Sequence, residues 1–463
     1  MSKLYVFGIG GTGARVLRSL TMLLASGVKC DMDIVPIIID PDSSADSLTK
    51  AVAAFDAYTK VRGALSYKSG DDKFFATAIE ESVPRYYLPL QNIANMSFEQ
   101  YISLPAMSVN NQALMRMLFS ESNLASDMVV GFKGNPNMGS VVLNQFVSSN
   151  EFQQFANSFQ QGDRIFIVSS IFGGTGASGF PLLLKTLRSN STVPNFNLLN
   201  NAVIGGITVL PYFSVQVDNS SSIDSSDFID KTKAALAYYD TNITGTGSID
   251  RLYYIADTIT PTYENHEGGA AQDNSAHSVE LFSALAVVDF AAAQLQRTNN
   301  SQCMEYGITN DANPVTFSEL GNDSKAQIFA PLTQFLLFGK YLDNARKWQY
   351  RFQPWAIDAE FDSSFFGSGF ENDIEKVLHL YEDWLRELDS NTRSFSPFDL
   401  SKRKHIFNMV KGVGSKRTKF NNYALFDDVL NAQHRPNGIS KEEWFADLFY
   451  QATKQLVERK FIL

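Results

Sequence analysis

The stretch "FGIGGTG" (residues 7–13) lies between an apolar run, "KLYV", and a helix-like run, "ARVLRSLTMLL". A glycine turn in that setting restricts the fold more than any feature of the composition. The first backbone N–H groups of a helix have no partners within it, and the helix dipole adds partial positive charge there. Glycines that let an anion approach such a helix start make a phosphate-binding loop. Gly8, Gly10, Gly11 and Gly13 meet that demand. The pattern then recurs: "DRIFIVSSI" (163–171) reads as a buried strand, "FGGTGASG" (172–179) as a second glycine loop, and "FPLLLKTLRSN" as the helix behind it.

The apolar runs at 3–8, 33–40 ("DIVPIIID"), 163–171, 200–213 and 251–257 are continuous rather than alternating, and helical patterns separate them. Strands of that kind belong to a parallel sheet covered on both faces, so the expected class is α/β. Between residues 44 and 124 the chain is polar and helical in character, with "NQALMRMLFSESNL" the clearest helix. "MVVGFKGNPNMGS" (128–140) collects glycine, asparagine and proline and reads as a structured loop. Residues 274–296 are apolar on nearly every side, which places that helix in the middle of the protein. Beyond residue 320 the pattern is helical, with Ile374, Val377, Leu378, Tyr381, Leu385 and Leu388 on one stripe. The resulting division is a nucleotide-binding part at 1–273, a central helix at 274–296 and a mainly helical part at 297–463.

Composition narrows the function classes. At 463 residues, with 44% hydrophobic and 19% charged side chains, the chain is long and apolar enough for two or three folded domains. Its 36 phenylalanines predict aromatic-rich cores or interfaces. A net charge of −10 argues against general nucleic-acid binding, which rests on many Lys and Arg neutralising phosphates. The basic groups "KRKH" (402–405) and "KRTK" (416–419) read as solvated surface, and the aromatic run 348–366 as helix-packing core. Cys30 and Cys303 are too few for a disulfide framework, and the five His lack metal-ligand spacing. With a strand at the N-terminus in place of a leader, and no apolar run near the ~20 residues that cross a bilayer, a cytoplasmic protein is expected.

Taken alone, the first loop leaves alternatives open. It suits a dinucleotide fold, in which Asp40 at the end of the second strand would hold a ribose hydroxyl, and it also suits a tight turn with no ligand. The second loop favours a site that surrounds a triphosphate. "DRIFIVSSIFGGTGASGFP" resembles the signature loop of the tubulin/FtsZ family, with Gly173, Gly174, Thr175, Gly176, Ser178 and Gly179 matching. "FGIGGTGARVLRSL" is similar to the first phosphate loop of FtsZ. "GFKGNPNMG" (131–139) is similar to the loop that closes over the γ-phosphate, with Gly134, Asn135, Pro136 and Gly139 in register. "ITVLPYF" and "IDRLYYIAD" resemble later strands, and "NSAHSVELFSALAVVDF" resembles the core helix of bacterial tubulin-like proteins. The likeness covers about residues 1–296.

The resemblance implies GTP or GDP with Mg2+, the ion bridging phosphate oxygens. Gly10, Gly11, Thr12 and Gly13 would meet the α- and β-phosphates, Thr175, Gly176 and Ser178 the β- and γ-phosphates, and Gly134 and Asn135 the γ-phosphate. Asp257, Asn274 and His277 stand near the family's guanine-binding positions, with helix capping or ordinary surface polarity as the alternative for each. The family completes hydrolysis with an acidic loop that enters the neighbouring subunit. Here "EYGITNDANPVTFSEL" (305–320) holds Glu305, Asp311 and Glu319 without the usual spacing. Asp311 is the candidate water-orienting acid, an Asn-Asp turn being the alternative. The expected activity is slow GTP hydrolysis that controls self-assembly. The rival expectations are a non-hydrolysing scaffold that recruits a partner protein through the C-terminal helices, and a Rossmann enzyme using NAD or ATP.

Overall fold

The computed structural model describes residues 1–91, 93, 95–128, 131–132, 134–215, 226–257, 262–263, 275–307, 312–344, 352–402, 405–418 and 422–462. Asn274 and Asp311 lie outside them. The expected parallel sheet is present. Its strands are β1 (Lys3–Ile9), β2 (Asp33–Ile39), β3 (Tyr87–Leu88), β4 (Arg164–Ser170), β5 (Val203–Val209), β6 (Arg251–Ile255) and β7 (Gln302–Tyr306), in the spatial order β3-β2-β1-β4-β5-β6-β7. Every neighbouring pair is parallel. β1 and β2 each bury six residues in a row, which is why both read as unbroken apolar runs.

Two adjacent glycines show that helices cover both faces. Successive strand residues point to opposite sides. A Cβ added to Gly205 would lie 2.5 Å from the Phe290 ring, and one added to Gly206 would lie 2.8 Å from the Phe180 ring. Phe290 belongs to the central helix α7 (Ser278–Ala292) and Phe180 to α5 (Gly174–Ser189), so these two helices pack on opposite faces. α1 (Gly10–Ala25) shares its face with α7, and α2 (Asp46–Gly63) lies beside α1. On the other face, Phe155 of α4 (Asn150–Ser158) meets the rings of Tyr5 and Phe7 at 5.1 and 4.9 Å. The architecture is a Rossmann-like α/β fold. α7 buries every residue except Asp289 and Ala292, as expected of a helix apolar on all sides.

The two outermost strands, β3 and β7, were not expected, and β7 takes in Glu305 of the expected acidic loop; other differences lie at the glycine loops. The segment expected as a loop over 172–179 is already helical from Gly174, and α1 starts at Gly10, ahead of the helix-like run that begins at Ala14. α3 (Pro136–Leu143) begins inside the expected loop 128–140, with Asn135 as its N-cap. At α1 and α5 glycines form the first turn of the helix, whereas at α3 Gly131 and Gly134 stay ahead of it and only Gly139 lies within. The polar segment behaves differently: its clearest helix, Val109–Leu118, buries none of its residues.

The C-terminal part is built on α8 (Asn322–Asn344), α9 (Gly369–Ser390), α10 (Asn422–Asn431) and α11 (Lys441–Lys460). All six residues of the expected α9 stripe are buried, and so is Trp384. The phenylalanines account for the core here: Phe338 stacks on Phe449 at 4.4 Å, and Trp355, Phe361 and Phe445 pack around them. In the described part of the 348–366 run, Trp355, Phe361, Phe365 and Phe366 are buried in this core, while Phe352 and most of the residues between them are exposed. This helical body rests on α1 and α2, and Trp384 Nε1 donates to Ser19 Oγ at 3.1 Å. No helix among the described residues is long and apolar enough to cross a membrane.

The two close approaches at β5 give a test. Gly205→Val would drive two methyl groups into Phe290 and Phe166, and overpacking of that kind costs about 1–3 kcal/mol. Gly63→Ala meets nothing within 4 Å and should be neutral or stabilising. Urea unfolding of the two full-length variants should separate them in that direction.

Candidate functional site

Because the sheet is parallel, the C-terminal ends of its strands share one edge. The chain leaves β1 towards β2 and later returns to β4 on the other side of β1, so the loops after β1 and β4 diverge from a common crevice. Such a switch point is where open α/β sheets bind ligands. Both glycine loops stand there.

The loops touch one another. Gly10 has φ +71°, a left-handed backbone that suits glycine, and a Cβ at Gly10 would lie 3.4 Å from Thr175 Cβ and 3.8 Å from the Gly176 nitrogen. At Gly174 an added Cβ would lie 3.1 Å from the Asn135 nitrogen and 3.2 Å from that of Gly134. One at Gly139 would clash with Ser178 Oγ. All three glycine stretches therefore meet at this edge. The α2 start joins them, since Ser47 Oγ is 3.2 Å from where a Gly11 Cβ would sit.

These helix starts are open to an anion. α1, α2 and α5 begin after Ile9, Ala45 and Gly173, none of which caps with a side chain, and the first turns of α1 and α5 hold no acidic residue. Their first N–H groups thus lack the usual side-chain acceptor. α3 is different, because Asn135 Oδ1 accepts from the N–H groups of Asn137 and Met138. Lys231, on α6 (Ser226–Tyr239), donates to the Gly134 carbonyl at 3.2 Å and places a cation beside this loop. Ser47 Oγ is buried and has no hydrogen-bond partner among the described residues.

Other expected residues occupy mixed positions. Gly8 and Gly13 face each other so closely that neither has room for a Cβ, and Gly179 packs on Ile9; these three shape the turns from within. Gly173 and Gly176 are held against Ser170. Thr12 is buried and accepts a long 3.4 Å bond from Arg15 Nη2. Ser178 Oγ donates to the Gly174 carbonyl at 2.6 Å, so its hydroxyl braces α5. Asp257 ends the β6 segment in a buried ion pair with Arg393 of the C-terminal body at 3.2 Å. His277 caps α7: its Nδ1 accepts from the Val279 N–H at 3.1 Å, which leaves the ring proton on Nε2. Nε2 is buried without a partner among the described residues. Burial and the nearby Arg15 and Arg393 push the His277 pKa down to about 3, so the ring is neutral at physiological pH. It packs on Tyr212 at 4.7 Å, in a group with Phe172 and Phe213 at the ends of β4 and β5.

Sequence reasoning missed the charged centre of the site. Arg15, on the second turn of α1, is buried and pairs with Glu280 at the start of α7, while Tyr212 bonds to both. Burial opposes the Arg15 charge, but Glu280 and Tyr212 outweigh it and raise its pKa. A signal was present: Arg15 stands in the apolar run "ARVLRSLTMLL" and Glu280 in "SVELFSALAVV", and a charge in a buried helix needs a partner.

No protein-family model matches the chain, and no curated protein is significantly similar to it in sequence. Asp40 offers a test of the site's electrostatics. Burial pushes the Asp40 carboxyl up to about 7, against the Asp42 N–H that it accepts at 3.0 Å; the Asp42 charge adds to the rise and Arg15 opposes it. A carboxyl with a raised folded-state pKa favours its neutral form. Its ionisation therefore destabilises the fold as pH rises from about 4 to about 7, by ~1.4 kcal/mol for each pH unit crossed. Asp40→Asn keeps the accepting oxygen without the charge. Its melting temperature relative to wild type should climb between pH 4 and 7 and level off above, as read by thermal melts in matched buffers.

Proposed function

We propose that the chain binds a nucleoside triphosphate, GTP with Mg2+, at this edge of the sheet in the manner of the tubulin/FtsZ family, and that nucleotide state governs its self-association. The observation that carries the reading is the meeting of three glycine stretches from distant parts of the chain, with the uncapped starts of α1, α2 and α5, at one switch point. A dinucleotide needs one such loop, whereas a triphosphate has charge enough to engage all of them.

On this reading the first loop holds the α- and β-phosphates, while the Thr175–Gly176 turn and the Gly134–Asn135 turn take the β- and γ-phosphates. Among the described residues no group of three His, Cys, Asp or Glu is placed to hold a metal. The Mg2+ would then be held chiefly by phosphate oxygens, which its chemistry favours. Preference for guanine rests on the family resemblance alone, since Asp257 is held by Arg393 and His277 caps α7. Hydrolysis would draw on Asp311 from a neighbouring copy, which makes turnover depend on assembly. Binding without turnover would leave a nucleotide-dependent scaffold.

One observation favours a second reading: β2 runs out at the buried Asp40, where a dinucleotide fold places its ribose acid. Competition binding of GTP, ATP and NAD to the purified full chain decides between them. GTP should bind most tightly, and light scattering should rise with GTP over GDP. No binding of any triphosphate, or NAD displacing GTP at lower concentration, would sink the proposal.

A single substitution probes the meeting of the loops. Gly174→Val would press against Phe132 and the Gly134–Asn135 backbone and pry the second and third loops apart. GTP affinity should fall at least ten-fold, measured by equilibrium binding on protein whose circular dichroism matches wild type.

A further inference from the structure

Arg15 is placed oddly for a structural cation. Its Nε donates to Glu280, and its Nη2 reaches Tyr212 Oη at 3.1 Å and Thr12 Oγ1 at 3.4 Å. Its Nη1 makes no hydrogen bond among the described residues and points at the first glycine loop, 3.4 Å from where a Gly11 Cβ would sit. Ser47 Oγ, also unpartnered there, approaches the same spot at 3.2 Å. Two buried polar groups thus converge on Gly11, one of them charged, beside the uncapped start of α1.

We propose that Arg15 is a phosphate-binding residue of this site, its guanidinium shared between Glu280 and an anionic oxygen of the ligand above Gly11, with Ser47 donating to the same group. The role rests on the nucleotide-binding reading above and adds to it a contact that the glycine loops do not supply. A planar guanidinium suits it: one edge stays on the carboxylate and Tyr212 while the free nitrogen serves the phosphate.

The sharing has a consequence for regulation. Glu280 also closes the cap of α7, since its Oε2 accepts from the His277 N–H at 2.9 Å. The residue before that cap is held by the C-terminal body: the Ala276 N–H donates to Glu387 Oε2 at 2.9 Å, and Asn391 Nδ2 donates to the Ala276 carbonyl at 3.0 Å. Glu387 is in turn gripped by Arg18, one turn beyond Arg15 on α1. A ligand that draws on Arg15 loosens its hold on Glu280 and so changes the start of α7 and the end of α9 together.

The test uses full-length protein and a non-hydrolysable GTP analogue. Arg15→Ala alone strands a buried carboxylate, so the informative variant is the double substitution Arg15→Ala with Glu280→Gln, which removes both charges. It should bind the analogue at least ten-fold more weakly, the loss of a charged hydrogen bond being worth ten-fold or more. Glu280→Gln alone keeps the cap's shape and frees Arg15 from its competitor, so it should bind as tightly as wild type or tighter. A folded double variant that binds within two-fold of wild type overturns the role of Arg15 while leaving the nucleotide reading intact. A Glu280→Gln variant that binds ten-fold more weakly overturns the sharing. Wild type that binds no nucleotide overturns the underlying reading and this role with it.

Discussion

The structure depends on how closely the backbones approach one another at the C-terminal edge of the sheet. Gly174 against Asn135 and Gly139 against Ser178 are contacts that a Cβ would disturb or forbid, and Gly10, beside Thr175, has a left-handed backbone that suits glycine. They bring helix starts from distant parts of the chain to one place, and helix starts repel one another electrostatically because each carries partial positive charge. That arrangement favours an anion that neutralises it. The proposed nucleotide would supply that negative charge, and Lys231 sets a cation beside the Gly134 turn.

The rest of the molecule serves that edge. The parallel sheet supplies the common direction of the strands, and the switch point between β1 and β4 supplies the crevice. α7, mostly apolar, carries the buried Glu280 carboxylate that holds Arg15. The C-terminal helices reach the same region through Glu387, Asn391 and Arg393, which hold Arg18, Ala276 and Asp257. α9 is tied to the aromatic core of that body through Tyr381, whose ring meets Phe335 at 5.0 Å.

Much of this was legible in the sequence. Unbroken apolar runs such as "DIVPIIID" located the strands, because a strand buried on both faces has no polar phase. The glycine loops announced helix starts, although their glycines proved to lie within the first turns, and Gly8 and Gly13 serve packing against each other. What stayed hidden was pairing at long range. Arg15 and Glu280 are 265 residues apart, and nothing local tells which acid meets which base. The Arg393–Asp257 pair was invisible for the same reason, and it gave Asp257 a partner that spacing could not suggest. Ser47 carried no motif; only the fold brings the α2 start beside Gly11.

The central claim is that the uncapped helix starts of α1, α2 and α5 form one anion site. Hydrogen exchange on the full-length protein, with and without a non-hydrolysable GTP analogue and Mg2+, tests it most directly. The amides at residues 11–14, 46–49 and 175–178 should slow together, over the same range of analogue concentration. Protection confined to residues 11–14, or none at any of the three, would contradict it.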